Sequence, residues 1–107
     1  MKREVRFSQA AFRHVDAADS WWRENRPAAP DLFLVELRRG LGFIENAPDS
    51  FAVLDEPRMP GLRRILLEKI RYHIYWTTTQ NTIEILAVWH TSRGHGPLDE
   101  EVVDSDD

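Results

Sequence analysis

The chain has 107 residues, 42% of them hydrophobic and 30% charged, a balance typical of one soluble globular domain. It contains no cysteine, which excludes disulfides, thiolate metal sites and a cysteine nucleophile. It also shows neither a signal-peptide pattern nor an apolar run of bilayer length, so we expect a cytoplasmic protein without a membrane partner.

The net charge of −4 is unevenly distributed along the chain. Six of the 18 acidic residues lie in the last nine positions, which leaves 14 basic and 12 acidic residues in the preceding part. We therefore predict a mildly basic domain over residues 1–98 and an acidic, disordered tail over residues 99–107. The tail is interpreted either as a solvating end or as a segment that competes with nucleic acid or contacts a basic partner.

The first half of the chain predicts a strand followed by two helices. Alternating charged and apolar residues indicate a short strand over Glu4–Phe7. Ser8 is a candidate N-cap for a helix that ends near Asn25, and Asp31 is a candidate cap for a second helix that ends at residues 46–48. Both helices carry apolar residues at spacings of three and four, which indicates one buried face each. These stripes are Ala11, Val15, Ala18 and Trp22, and then Leu34, Leu37, Leu41 and Ile44.

Two pairs of residues in these helices predict how the helices pack. Trp21 and Trp22 are adjacent and lie about 100° apart on a helix, so both cannot be fully buried against one core. Gly40 and Gly42 each weaken the second helix by about 1 kcal/mol relative to alanine. Both glycines therefore indicate close packing of another element against the second helix.

The second half of the chain predicts three strands, over residues 62–68, 72–78 and 83–90, with a polar hairpin connector between the last two. On the middle strand, Tyr72, Ile74 and Trp76 share one face, and the neighbouring residues occupy the other. The order of the elements predicts an α+β fold in which an N-terminal strand and an αα-hairpin precede a three-stranded antiparallel sheet.

Four short sequence patterns follow one another in a characteristic order along the chain. Trp21 and Trp22 precede a basic turn, Gly61 opens a Gly-Leu-Arg-Arg run, residues 72–75 read Tyr-His-Ile-Tyr, and residues 83–93 end in His-x-x-Arg. From about Val5 to Pro97, this order resembles the ParE/RelE superfamily of toxins from type II toxin–antitoxin systems, and its ParE-like members more than its RelE-like ones. The resemblance implies a growth-inhibiting protein that a cognate ParD-like, DNA-binding antitoxin neutralises in a hetero-oligomeric complex.

The resemblance leaves three functions open, because a fold does not determine a function. ParE-like members imply inhibition of DNA gyrase or another topoisomerase by binding, which we take as the leading hypothesis. RelE-like members imply a ribosome-dependent mRNA endoribonuclease, but His90 is followed by threonine, without the tyrosine that some of these enzymes place there. The third alternative is a domain of the same fold that has lost toxicity and only forms complexes.

Basic residues at one end of the predicted sheet are the candidate target-binding residues. A metal-free ribonuclease would need a base, cationic donors and an acid around one phosphate. Tyr72 and His73 are further candidates for these roles, and no metal or cofactor is expected. Alternatively, His90 is a strand-end residue that is hydrogen-bonded to a loop, and Arg93 forms an ion pair within the chain. The target-binding set is Arg63, Arg64, Arg71, His90 and Arg93; a nuclease would use His90, Arg93, Arg64 and Arg71.

The antitoxin is expected to lay an apolar helix across the helix hairpin and sheet edge. Trp22, Leu34 and Leu37 are the candidate contacts for this helix. Because these residues also belong to the apolar stripes, burial in the core is the alternative interpretation. Arg63 and Arg64, adjacent on a strand, should point to opposite faces of the sheet, so one of the two is expected to be a solvated residue.

Overall fold

A computed structural model describes residues 3–98, which form a four-stranded sheet with two helices on one face. The strand order is β1-β4-β3-β2, with β1 parallel to β4 and the other neighbours antiparallel. The predicted acidic tail lies outside the described residues. The elements are β1 (Glu4–Phe7), α1 (Gln9–Asn25), α2 (Leu32–Asn46), β2 (Arg63–Leu67), β3 (Tyr72–Thr78) and β4 (Thr82–His90).

The α+β prediction is confirmed, but the sheet has one strand more than predicted. β1 extends the three antiparallel strands because Val5 and Phe7 pack against the same core as the helices. A strand with apolar side chains on one face can bury them there only by pairing with the edge of the existing sheet. Neither helix within residues 3–98 has the length and apolar content needed to cross a bilayer.

The two predicted helix caps differ in outcome. The Ser8 hydroxyl accepts a hydrogen bond from the Ala11 amide at 3.0 Å, as an N-cap should, and it donates to the Leu86 carbonyl at 3.1 Å. Asp31 stands at the start of α2, but its side chain makes no capping hydrogen bond. The predicted position of Asp31 at the helix start is therefore confirmed, but its carboxylate does not cap the helix and instead pairs with the Arg23 guanidinium at 3.0 Å.

The sheet carries apolar side chains on both faces. Ile83 and Ile85 of β4 lie in the main core under the helices. The pairing of β3 with β4 then shifts by one residue, so that Leu86 is extra and the alternation is inverted after it. Val88 therefore also lies in the main core, whereas Ala87 and Trp89 belong to a smaller cluster on the other face. Leu62 and Tyr75 complete that cluster, with Leu54, Met59 and Leu98 packed against it.

The two glycines of α2 give opposite outcomes for the packing prediction. A Cβ atom on Gly40 would lie 2.5 Å from Leu67 Cδ2 and 3.0 Å from Ile74 Cδ1, so the prediction is confirmed there. A Cβ atom on Gly42 would meet nothing within 4 Å, so the prediction is wrong for this residue.

Substitution of the two glycines should therefore change stability in opposite directions. Gly42→Ala should raise the free energy of unfolding by up to about 1 kcal/mol, because alanine is the better helix former. Gly40→Val should lower it by about 1–3 kcal/mol through overpacking against β2 and β3. Urea denaturation of both variants tests this, and a change of the same sign in both would contradict it.

Candidate functional site

A cleft of about 900 Å³ lies between the helix hairpin and one end of the sheet, and we call it the basic cleft. One wall comes from the end of α1 and the turn after it, and the other from the β2–β3 turn and the end of β4. Four basic side chains line the cleft, and among residues 3–98 no acidic residue lines it. These cations are Arg26, Lys69, Arg71 and Arg93.

The four cations are not neutralised by the folded domain. Across residues 3–98, none of them forms an ion pair with a carboxylate, whereas other arginines do, among them Arg3, Arg6 and Arg23. Like charges that share a concave surface without counter-ions repel each other and produce a focused positive potential. The basic cleft therefore favours an anionic partner.

An aromatic wall stands beside these charges. Trp22 is buried, and its indole N–H donates to the Ala29 carbonyl at 2.9 Å. Trp21 is 47% exposed and meets the Trp22 ring edge-on, with the centroids 6.0 Å apart. The Arg26 guanidinium lies 5.4 Å and 5.9 Å from the two ring centroids, within cation–π range. The prediction that both tryptophans cannot be fully buried is confirmed.

Arg71 enters the cleft from a strained backbone. It has a φ of +63° in the turn between β2 and β3, a conformation that residues other than glycine, asparagine and aspartate rarely adopt. Its amide donates to the Leu67 carbonyl at 2.8 Å, and its own carbonyl accepts from the Thr91 amide at 2.9 Å. These two hydrogen bonds hold the turn against the end of β4.

His90 and Tyr72 are paired residues on β4 and β3, and their rings meet edge-on at 4.9 Å. Burial raises the pKa of the Tyr72 phenol, and the charge of Arg93 only partly opposes this. The Ser92 amide donates to His90 Nδ1 at 3.0 Å, so neutral His90 carries its proton on Nε2. The strand-end interpretation of His90 therefore agrees with its geometry.

A second concavity, of about 270 Å³, lies on the other face of the sheet, and we call it the back pocket. Its lining includes Arg64, whose guanidinium donates to the Tyr75 hydroxyl at 3.3 Å. It also includes Arg93, which lies 3.9 Å from the centre of the Trp89 ring. Burial, and then the charge of Arg64, lower the pKa of His73 in this pocket.

The lowered pKa of His73 predicts acid sensitivity of the fold. The unfolded chain takes up a proton on this residue at about pH 6.5, whereas the folded state resists protonation until a lower pH. Stability should therefore fall as the pH drops below about 6.5. Thermal melts from neutral to mildly acidic pH should show a shallower decline for His73→Gln, and an unchanged decline would argue against this role of His73.

The structure divides the predicted target-binding residues into three places. Arg71, His90 and Arg93 line the basic cleft, and Arg64 lines the back pocket, which His90 and Arg93 also reach. The Arg63 prediction needs correction, because this side chain is only 15% exposed. It donates to the Phe51 carbonyl at 2.7 Å and lies 3.8 Å from Asp49, on the opposite face from Arg64.

Arg26 and Lys69 line the basic cleft but were not among the predicted residues. Arg26 directly follows the helix that carries the tryptophan pair, and Lys69 is close to Arg71 in the β2–β3 turn. Both residues lie in turns next to helices or strands. In such turns the sequence has no periodic pattern that would indicate where a charged side chain points. Within residues 3–98, no group of three histidine or acidic side chains is placed to hold a metal ion.

Two of the three predicted antitoxin contacts, Trp22 and Leu37, also need correction. Trp22 and Leu37 are buried in the main core, so they offer almost no surface to a partner. Leu34 is partly buried and lines a groove between α1 and α2. Val15 and the 62% exposed Phe12 lie in the same groove.

The sequence of this chain is similar to a known protein family, and its fold is similar to that of known proteins. Residues 5–94 match the family described as the ParE toxin of type II toxin–antitoxin system, parDE. Among curated proteins, none matches the sequence. The chain is structurally similar to the chromosomal ParDE toxin–antitoxin system from P. aeruginosa, with a TM-score of 0.66, 15% identity and coverage of 82% of this chain and 95% of that chain.

Two further structures share the fold. The isolated E. coli RelE toxin gives a TM-score of 0.55 at 16% identity, and covers 97% of this chain and 98% of its own. The YoeB dimer from Staphylococcus aureus gives 0.55 at 14% identity, with 84% and 98% covered. Identities this low show the fold alone, whereas the family match extends over most of the chain. The protein therefore belongs to the ParE toxin family of type II toxin–antitoxin systems.

Proposed function

We propose that this toxin arrests growth by binding DNA gyrase or another topoisomerase through the basic cleft, and that it does so in the cytoplasm. The observation that carries the proposal is the set of four cations, unpaired within residues 3–98, in a cleft lined by no acidic residue. A topoisomerase engaged on DNA presents phosphates, and a focused positive potential accelerates and strengthens association with such a surface.

The groups in the basic cleft support binding more than catalysis. Nδ1 of His90 is occupied by the Ser92 amide, so this nitrogen is not available as a base. The raised pKa of Tyr72 keeps its phenol protonated near neutral pH, and within the described part of the chain no carboxylate lines the cleft. The cleft thus provides cations and hydrogen-bond donors, whereas proton abstraction also needs an acceptor within reach.

A supercoiling assay with gyrase and relaxed plasmid, together with a translating extract, tests the proposal. The full-length chain should inhibit supercoiling and leave messenger RNA intact. Codon-positioned cuts in the messenger without any effect on supercoiling would overturn it. If growth on induced expression is normal and neither assay responds, the chain is a complex-forming domain without toxicity.

One observation favours ribosome-dependent mRNA cleavage as a second candidate function. The lowered pKa of His73 keeps its imidazole neutral near neutral pH, in a pocket that also contains Arg64 and Arg93. A neutral imidazole can accept a proton, and guanidinium groups can stabilise a phosphorane. In this candidate, His73→Gln and Arg64→Ala abolish messenger cleavage, whereas cleavage that survives both variants would exclude the back pocket as its site.

We also propose that a ParD-like antitoxin lays the apolar face of a helix into the groove formed by Phe12, Val15 and Leu34. An amphipathic helix in a groove is a recurring mode of recognition, and the 62% exposed Phe12 side chain supports its use here. Hydrogen exchange on the toxin with and without the protein from the neighbouring reading frame tests this. Slowed exchange in α1 and α2 is expected, and unchanged exchange there would exclude the groove.

A further inference from the structure

We infer that the basic cleft binds single-stranded nucleic acid, with one base stacked on Trp21 and the flanking phosphates held by Arg71 and Arg93. This inference deepens the proposed function and rests on it in one respect, because the DNA in a topoisomerase complex would present the strand. The cleft should bind such a strand even in the absence of any protein target.

Trp21 has the properties of a stacking platform. Nearly half of its surface is exposed within a concave site, although exposure of an indole to water is unfavourable. Its position is fixed from behind by Trp22, which is itself held by the hydrogen bond to the Ala29 carbonyl. A flat aromatic ring held in place is suited to stacking a base, since every base has a π-face.

The cations line both walls of the cleft that contains this platform. Arg26 lies against the tryptophan pair, and Lys69, Arg71 and Arg93 line the opposite wall. Arg71 keeps a charged side chain at a left-handed position where glycine would relieve the backbone. Strained residues of this kind concentrate at ligand sites. The strain therefore supports a binding role for Arg71.

The same walls disfavour an extended peptide as the ligand. The sheet residues that reach the cleft, Tyr72 and His90, are paired with each other, so their shared edge is closed to strand addition. The cleft also combines an aromatic surface with cations that form no ion pair within residues 3–98, which suits a strand of alternating phosphates and bases. An acidic helical peptide is the competing ligand, and binding measurements with both ligands distinguish the two.

Fluorescence anisotropy with labelled single-stranded DNA and RNA of roughly 12 nucleotides measures the binding directly. Trp21→Ala in the full-length chain should weaken binding by about 5- to 150-fold, the range expected for loss of one stacked base. Trp21→Phe should retain most of the affinity, because it keeps a stacking face. Comparison of the DNA and RNA oligonucleotides then shows which sugar the cleft prefers.

Two arginine variants distinguish binding in the basic cleft from a general effect of the net charge. Arg71→Gly should weaken binding and reduce the slope of log affinity against log salt by about 0.7, the value for one phosphate contact on a single strand. Because glycine tolerates a φ of +63°, this variant keeps the fold. Arg38→Ala removes an equal charge from the exposed face of α2, outside the cleft, and should bind as the unaltered chain does.

The inference is overturned if the oligonucleotides do not bind, if Trp21→Ala binds as tightly as the unaltered chain, or if Arg38→Ala loses as much affinity as Arg71→Gly. Tight binding of a poly-glutamate peptide that depends on Trp21, without oligonucleotide binding, would assign the cleft to an acidic protein segment. Failure of oligonucleotide binding with intact inhibition of supercoiling would reject this inference alone. Loss of both activities would reject the proposed function as well.

Discussion

Reversal of the charges at Arg71 and Arg93 together should abolish inhibition of the topoisomerase target, with at least a 100-fold loss of potency. The double variant removes two of the four cations that line the basic cleft and puts two anions in their place. Like charges placed against each other at an interface cost several kcal/mol, and about 3 kcal/mol corresponds to roughly 100-fold in affinity. Dose–response curves in the supercoiling assay would measure the loss.

A matched variant controls for the change in net charge. Arg13→Glu with Arg38→Glu makes the same change on exposed residues of the two helices, outside the cleft. It should inhibit supercoiling at close to the original concentration. An equal loss of potency in both double variants would mean that overall charge, and not the basic cleft, determines inhibition.

Trp76→Ala should lower the free energy of unfolding by about 3–5 kcal/mol, the range for loss of a large buried aromatic side chain. The Trp76 side chain is fully buried, its ring meets Phe51 edge-on at 5.1 Å, and its indole N–H donates to the Pro48 carbonyl at 3.2 Å. Its removal would leave a cavity beneath the segment after α2. A domain of this size has about 5–15 kcal/mol in total, so a large share of it would be lost.

Trp76→Phe distinguishes the contribution of the aromatic ring to stability from that of the indole hydrogen bond. Phenylalanine keeps much of the apolar contact with Phe51 but leaves the Pro48 carbonyl without its donor, at a cost of about 1–3 kcal/mol. Urea unfolding of both variants should therefore rank the phenylalanine variant between the alanine variant and the unaltered chain. Equal stability of the two variants would contradict the cavity argument.

Most elements were predictable because their signals are local. The run of aromatic and β-branched residues over Tyr72–Thr78 predicts β3 with both of its ends, and the Ser8 hydroxyl marks the start of α1. The parallel pairing of Glu4–Phe7 with β4 was not predictable in this way. It joins residues far apart in the chain, and only the completed core determines where such a strand lies.

The candidate site could be predicted only in part, because contacts between distant segments place some of its residues. Arg71, His90 and Arg93 were recognised as basic residues near strand ends, where loops meet at one end of a sheet. The position of Arg63 depends on the Phe51 carbonyl, which a loop of irregular backbone supplies. Arg26 enters the cleft because the turn after α1 reaches the end of the sheet. Neither arrangement leaves a periodic pattern in the sequence.

The extra residue in β4 decides which side of the domain receives each functional group. With regular alternation beyond Ile85, Trp89 would point towards the helices and His90 away from them. Because Leu86 is inserted, His90 instead meets Tyr72 on the helical side, and Trp89 supports the Arg93 guanidinium from behind. One strand thus presents a polar ring on its helical face and an aromatic support on its other face, and a single backbone irregularity determines which residue lies on which face.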